Sequence, residues 1–218
     1  MTKTQLISDV MLRVTGGEPS DDLELETTQV AFWIDQVLGA LIKDNLDNKL
    51  RRGESVDAVY LTPDLNLTPI LDSRPWMDTQ SSVYIPLCKT PMTLYHGGEI
   101  VYIETQDGKP VNRTTLQKLS NIKSLTFSKP SLSNLVYHRD GDRLYINGLD
   151  ENNIDFAVFN VWYVARPDLL SSLADNDEVK MGEDMPAMVA DAVAALAQNQ
   201  VANQVDEEND NEQDLNKQ

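Results

Sequence analysis

One stretch limits the possible architectures more than any other. Between Val30 and Leu50, the residues Val30, Trp33, Ile34, Val37, Leu38, Leu41, Ile42, Leu46 and Leu50 recur at steps of three and four. That spacing lines them along one side of an α-helix of roughly six turns. So long an apolar stripe must be removed from water, so the fold has to supply matching surfaces. Glu24 and Glu26 sit near its start, and Lys43, Lys49, Arg51 and Arg52 near its end, as the helix dipole favours. Gly53 is placed to close it.

The matching surfaces come from nearer the ends of the chain. Leu6, Ile7, Val10, Met11 and Val14 keep helical spacing, and Thr15-Gly16-Gly17 stops that helix. Ser20 or Asp22 then stands where a cap for the long helix is expected. Beyond Asp168 an acidic loop leads to Pro186, a residue tolerated in a first helical turn. There follow Met188, Val189, Ala192, Val193, Leu196 and Ala197 at helical spacing, with alanines that let another helix approach closely. That other helix could be the chain's own or a neighbour's.

Between these helices the period shortens. Val56–Leu61, Val83–Leu87, Glu99–Glu104, Leu135–His138 and Arg143–Asn147 read as short strands, and RDGD joins the last two as a hairpin. Phe156–Ala165 is apolar on both faces and reads as a central, covered strand. Thr114–Leu119 reads as a short helix, and residues 62–78, with three prolines, as an irregular loop. The expected class is α+β. Residues 1–54 and 168–203 form a helical scaffold, and 55–167 a sandwich- or barrel-like insertion. Residues 204–218 form an acidic tail with no apolar face, disordered when alone.

Charge narrows the possible partners. The 218 residues carry 35 acids and 18 bases, a net of −17, and from Asp168 onward there are 13 acids and 2 bases. Such a chain does not hold duplex DNA through its phosphates, which requires cations. It can pair with a basic surface, line a passage that DNA crosses without sticking, or simply stay soluble. One cysteine, Cys88, allows no internal disulfide, so a reducing cytoplasm is expected. No apolar run reaches the ~20 residues of a membrane span, and the N-terminus lacks the apolar core of a signal peptide.

Signs of chemistry are few. His96 and His138 have no ligand-spaced companions, so no metal or cofactor is expected. QDGKP at 106–110 lacks the pattern of a phosphate loop, and no serine lies in a nucleophile elbow. Cys88, Trp33 and Trp162 are expected in packed positions. Pro75, Trp76 and Met77 stand apart in the proline-rich loop, where Trp76 either reaches a partner or packs beneath its own loop.

Three stretches carry a likeness to a known family: TQLISDVMLRVTGGEPSDDLELETTQVAFWIDQVLGALI, the pair LVYHRDGDRLYINGL and FAVFNVWYVARPD, and DEVKMGEDMPAMVADAVAALA. In this order they resemble the head-to-tail adaptor and ring proteins of tailed bacteriophages, closest in layout to the neck ring proteins of crAss-like phages. The resemblance implies a virion protein without catalytic residues, assembled in the host cytoplasm. Identical copies would close into a ring, twelvefold, between the portal and neighbouring neck or tail rings. Duplex DNA would pass through the ring without specific binding. The helices would build the wall, and the tail around Val205, Asp206, Glu207 and Glu208 would order on a neighbour. An alternative reading is a virion-associated module whose β-rich part recognises a glycan or a protein. A carboxylate hydrolase ranks last.

Overall fold

The computed structural model describes residues 1–15, 26–72, 83–123, 130–149, 153–154 and 157–198. The chain is α+β, with terminal helices flanking, in chain order, a β-rich middle. It divides into two compact units: Met1–Asn45 with the chain from Pro167 onward, and Leu46–Arg166.

The helical unit begins with α1 (Lys3–Val14), which opens on a capping box. Gln5 N–H donates to Thr2 Oγ1 at 3.3 Å, and Thr2 N–H donates to Gln5 Oε1 at 3.0 Å. Two N–H groups that a helix start leaves unpaired are thereby satisfied. Leu6, Val10 and Val14 form its buried row. The long helix α2 (Thr27–Arg51) buries Val30, Trp33, Ile34, Leu38 and Ile42, as its stripe requires. Its last residues cluster with the β-rich unit. There Gly53, at φ 75°, ends it in a Schellman motif: Glu54 N–H donates to Lys49 O at 3.0 Å, and Gly53 N–H to Leu50 O at 3.1 Å.

The last helix, α4 (185–198), differs from its sequence pattern. Met185, Val189, Ala190, Val193, Ala194 and Ala197 are buried, whereas Met188 and Leu196 are exposed. Alanine on both sides makes this helix apolar over two faces, and only one of them meets the core.

The acidic segment before α4 is expected to be a loop, yet it pairs with the N-terminus. Thr2 and Glu178 form an antiparallel bridge. Lys3 N–H donates to Asp177 O at 3.0 Å, and Val179 N–H to Met1 O at 3.1 Å. The N-terminus is thus joined backbone to backbone to the segment that leads into α4.

In the second unit, β1 (Leu61–Leu67), β8 (Phe159–Val164) and β4 (Ile100–Thr105) form one antiparallel sheet in the order β1-β8-β4. A second sheet runs β2-β3-β7-β6-β5, from β2 (Ile70–Leu71), β3 (Val83–Pro86), β7 (Arg143–Asn147), β6 (Val136–Asp140) and β5 (Asn112–Arg113). Among the described strands, only β5 and β6 pair in parallel. One apolar cluster draws Ile103, Phe159, Val161 and Tyr163 from the first sheet and Ile85, Leu144 and Ile146 from the second. This is a sandwich core. The RDGD hairpin forms as expected, with Gly141 at φ 63° supplying the positive φ of a two-residue turn.

Several expectations are corrected here. Val56–Leu61 is not a strand: residues Ala58–Tyr60 make a 3-10 turn, and the strand starts at Leu61. Residues 62–78 are not simply an irregular loop, because β1 and β2 run through them. Pro63 is tolerated since β1 lies at a sheet edge, where a missing N–H costs little. The short helix α3 (Leu116–Lys123) starts later than Thr114 and is capped by Thr115 Oγ1, which accepts from Lys118 N–H at 3.2 Å. Strand β8 is central, but only Phe159, Val161, Tyr163 and Val164 are buried; Asn160 and Trp162 are half-buried. Cys88 is exposed and not packed.

Candidate assembly surface

Four features stand out as surfaces or sites. The first lies in the helical unit, where α1, the first turns of α2 and the segment around Leu169 enclose a groove of about 710 Å³. Ile7, Ala31, Phe32 and Leu169 provide its apolar lining, and Phe32 and Leu169 are each 58% exposed. Its floor holds Asp35, whose Oδ1 accepts Leu170 N–H at 2.8 Å. Burial pushes the Asp35 carboxyl above its usual range, while the Leu170 N–H and the Lys3 charge pull the other way. Lys3 holds the groove's edge: its Nζ donates to Leu173 O at 2.9 Å and lies 3.4 Å from Asp175. These bonds tie both α1, through Lys3, and α2, through Asp35, to the 169–175 segment that borders the groove.

The second feature is the outward face of α4. Met188 and Leu196 are 51% and 42% exposed, Ala195 is exposed and Ala192 is half-buried. Asp191, on the same helix, pairs with Arg13 of α1. Residues at i, i+4 and i+7 or i+8 share one side of a helix, so these four form a ridge.

The third feature is the open face of the β1-β8-β4 sheet. Register sets Pro63 beside Trp162 and Trp162 beside Tyr102, one row across three strands. The Tyr102 and Trp162 ring centroids are 5.6 Å apart at an interplanar angle of 44°. Beside them Asn160 Nδ2 donates to Glu104 Oε1 at 3.2 Å. Trp162, expected in the core, is in this half-exposed row instead, because the alternation of β8 turns it away from Val161 and Tyr163. The fourth is a cleft of about 570 Å³ lined by Arg113, Thr114, His138 and Arg139. Arg139 is committed there to Glu99 at 2.7 Å and to Gly141 O at 2.7 Å.

The sequence-predicted partner residues Pro75, Trp76, Met77, Val205, Asp206, Glu207 and Glu208 lie outside the described residues. His138 is buried, stacked on Tyr145 with centroids 5.1 Å apart, and its Nδ1 is 3.2 Å from Asn147 Nδ2. Among the described residues, no three His, Cys, Asp or Glu side chains gather as a metal would require, and no helix is long and apolar enough to cross a membrane. The groove is not legible in the sequence because Ile7, Phe32 and Leu169 are far apart in the chain. The one local signal was Phe32, an aromatic lying off the buried stripe of α2.

A family model described as phage tail ring protein 2 matches residues 5–215. No curated protein matches the chain.

Proposed function

Because the chain belongs to the phage tail ring protein 2 family, we propose that it is a structural subunit of a closed ring in the neck of the virion, between the portal and the tail. Identical copies, twelve in number, surround the passage of the DNA. The observation that carries this reading is the match over residues 5–215, nearly the whole chain, on a molecule with an apolar groove left open in its helical unit. The net charge of −17 fits the role. Carboxylates within a Debye length of the channel, about 8 Å at physiological salt, repel phosphate and let the genome slide. Pro75, Trp76 and Met77, and Val205–Glu208, are the segments proposed to touch the portal or an adjacent ring.

The test is assembly. The purified full chain, alone and mixed with the portal protein, is weighed by mass photometry and imaged by negative stain. A ring of uniform copy number, alone or on the portal, is the expected result. A chain that stays monomeric in both mixtures defeats the proposal. A chain ending at Asn203 is expected to fold as before and to assemble less well; an unchanged particle yield would remove the tail from the interface.

A second reading rests on the Pro63–Trp162–Tyr102 row. A half-exposed aromatic pair beside an Asn–Glu pair suits a sugar face or a protein partner. Glycan-array binding that is lost in Trp162→Ala and does not require ring formation would favour it.

A further inference from the structure

The groove and the ridge described above are both uncovered in a single copy, and each is the shape the other lacks. We propose that the outward face of α4 in one subunit seats in the groove between α1 and α2 of the next subunit. This rests on the ring reading and specifies which surfaces close the ring.

The argument begins with symmetry. A ring of identical copies is closed by heterologous contacts, so each copy must present two different surfaces that fit each other. A surface that pairs with itself would stop at a dimer. The helical unit carries such a pair: a concave apolar groove of about 710 Å³ with Phe32 and Leu169 at its mouth, and a convex row of Met188, Ala192, Ala195 and Leu196. The alanines let the α4 backbone come close, and the two larger side chains are placed to enter the groove. The sizes also agree. Phe32, Leu169, Met188 and Leu196 expose 58%, 58%, 51% and 42% of their surface. Taking the lower end of the roughly 150–250 Å² that an aromatic side chain buries as the scale for all four, they supply on the order of 300–400 Å² in total. Divided between the two faces, that is at most about 200 Å² on each, an apolar centre for an interface burying ~800 Å² per partner, most of which the surrounding rim must supply. Both surfaces also rest on fixed supports. The Asp35–Leu170 bond and the Lys3 contacts hold the groove, and the Arg13–Asp191 pair anchors the base of the ridge.

The test uses the full chain, alone and with the portal protein. Met188→Asp with Leu196→Asp forms one variant and Phe32→Asp another. All three positions are about half exposed, so both variants are expected to keep the wild-type circular dichroism spectrum and melting temperature while losing the ring species. Contact is read directly in a Cys88→Ser background. A chain carrying both Gln36→Cys and Ala195→Cys is expected to oxidise to a ladder of covalent oligomers. Each single cysteine alone is expected to remain monomeric, and a mixture of the two to stop at dimers. Rings that persist in the aspartate variants overturn the inference and leave the ring reading standing. So do dimers from one cysteine alone, which would show a face meeting itself. Loss of rings without any cross-link assigns the groove to a different ring protein, and that also overturns it. A wild-type chain that never forms a ring removes the ring reading itself.

Discussion

Replacing Tyr163 by phenylalanine removes a single oxygen from the centre of the sandwich. That oxygen joins three chain segments. Tyr163 Oη donates to Asp64 Oδ2 at 3.0 Å and accepts Lys89 N–H at 3.0 Å, and the same Asp64 oxygen accepts Cys88 N–H at 2.9 Å. Asp64 and Tyr163 are both buried. A hydrogen bond to a charged group contributes about 1.5–3 kcal/mol and a neutral one about 1 kcal/mol. Tyr163→Phe should therefore cost roughly 2–4 kcal/mol, most of it from the carboxylate left with one partner fewer. Urea unfolding reads this as a lower midpoint at unchanged slope. A cycle with Asp64→Asn should give a coupling of about 0.5–3 kcal/mol between the two positions. Alkaline pH supplies an independent check. Burial first, and then Asp64, hold the Tyr163 hydroxyl above its ordinary range. Burial pushes Tyr137 up to about 12. Groups raised in this way bind protons more tightly in the folded chain. Their stabilisation is complete below about pH 10, the unfolded value, and is lost as pH rises toward the folded one. Tyr163→Phe should flatten that alkaline loss in part and leave the Tyr137 share. A midpoint that moves by less than about 0.5 kcal/mol in equivalent stability, far below the cost of removing a hydrogen bond from a buried carboxylate, would refute the reasoning.

Three further outcomes are expected. Asp35→Ala leaves the N–H of buried Leu170 without its acceptor and should cost about 1–2 kcal/mol. Asp35→Asn keeps an acceptor and should stay within about 0.5 kcal/mol at neutral pH. Because the Asp35 value is raised by burial, wild type should gain stability relative to Asp35→Asn as pH falls through the folded value, and level off below the ordinary aspartate value of about 3.9; a pH series of thermal melts checks the sign. The exposed Cys88 thiol is raised chiefly by the charge of Asp64, so a thiol reagent at neutral pH should label it slowly and label the Asp64→Asn variant faster. Trp33→Ala empties a buried site on the α2 stripe and should cost about 3–5 kcal/mol; a denaturant midpoint that barely moves would mean that this face of α2 contributes little.

Features that depend on neighbours in the chain were open to reading from the sequence. The stripe of α2, the row Leu6–Val10–Val14, the stop at Gly53 and the RDGD turn all express a local period or a local φ, and each forms as expected. The apolar residues on both faces of β8 likewise marked a central strand, although the face carrying Asn160 and Trp162 is only half-buried. Other features depend on what a residue meets after folding. Pro63 looks like a strand breaker until β1 is known to lie at an edge. Asp64 looks like a surface carboxylate until Tyr163, 99 residues away, donates to it. Asp35 and Leu170 are 135 residues apart, and their bond shapes a groove that no local pattern announces. The periodicity of the chain determined that helices precede and follow a β-rich middle in chain order, because burying an apolar stripe is a demand each segment makes by itself. Only the tertiary structure decided which apolar residues stay uncovered, because exposure is a property of the packed whole.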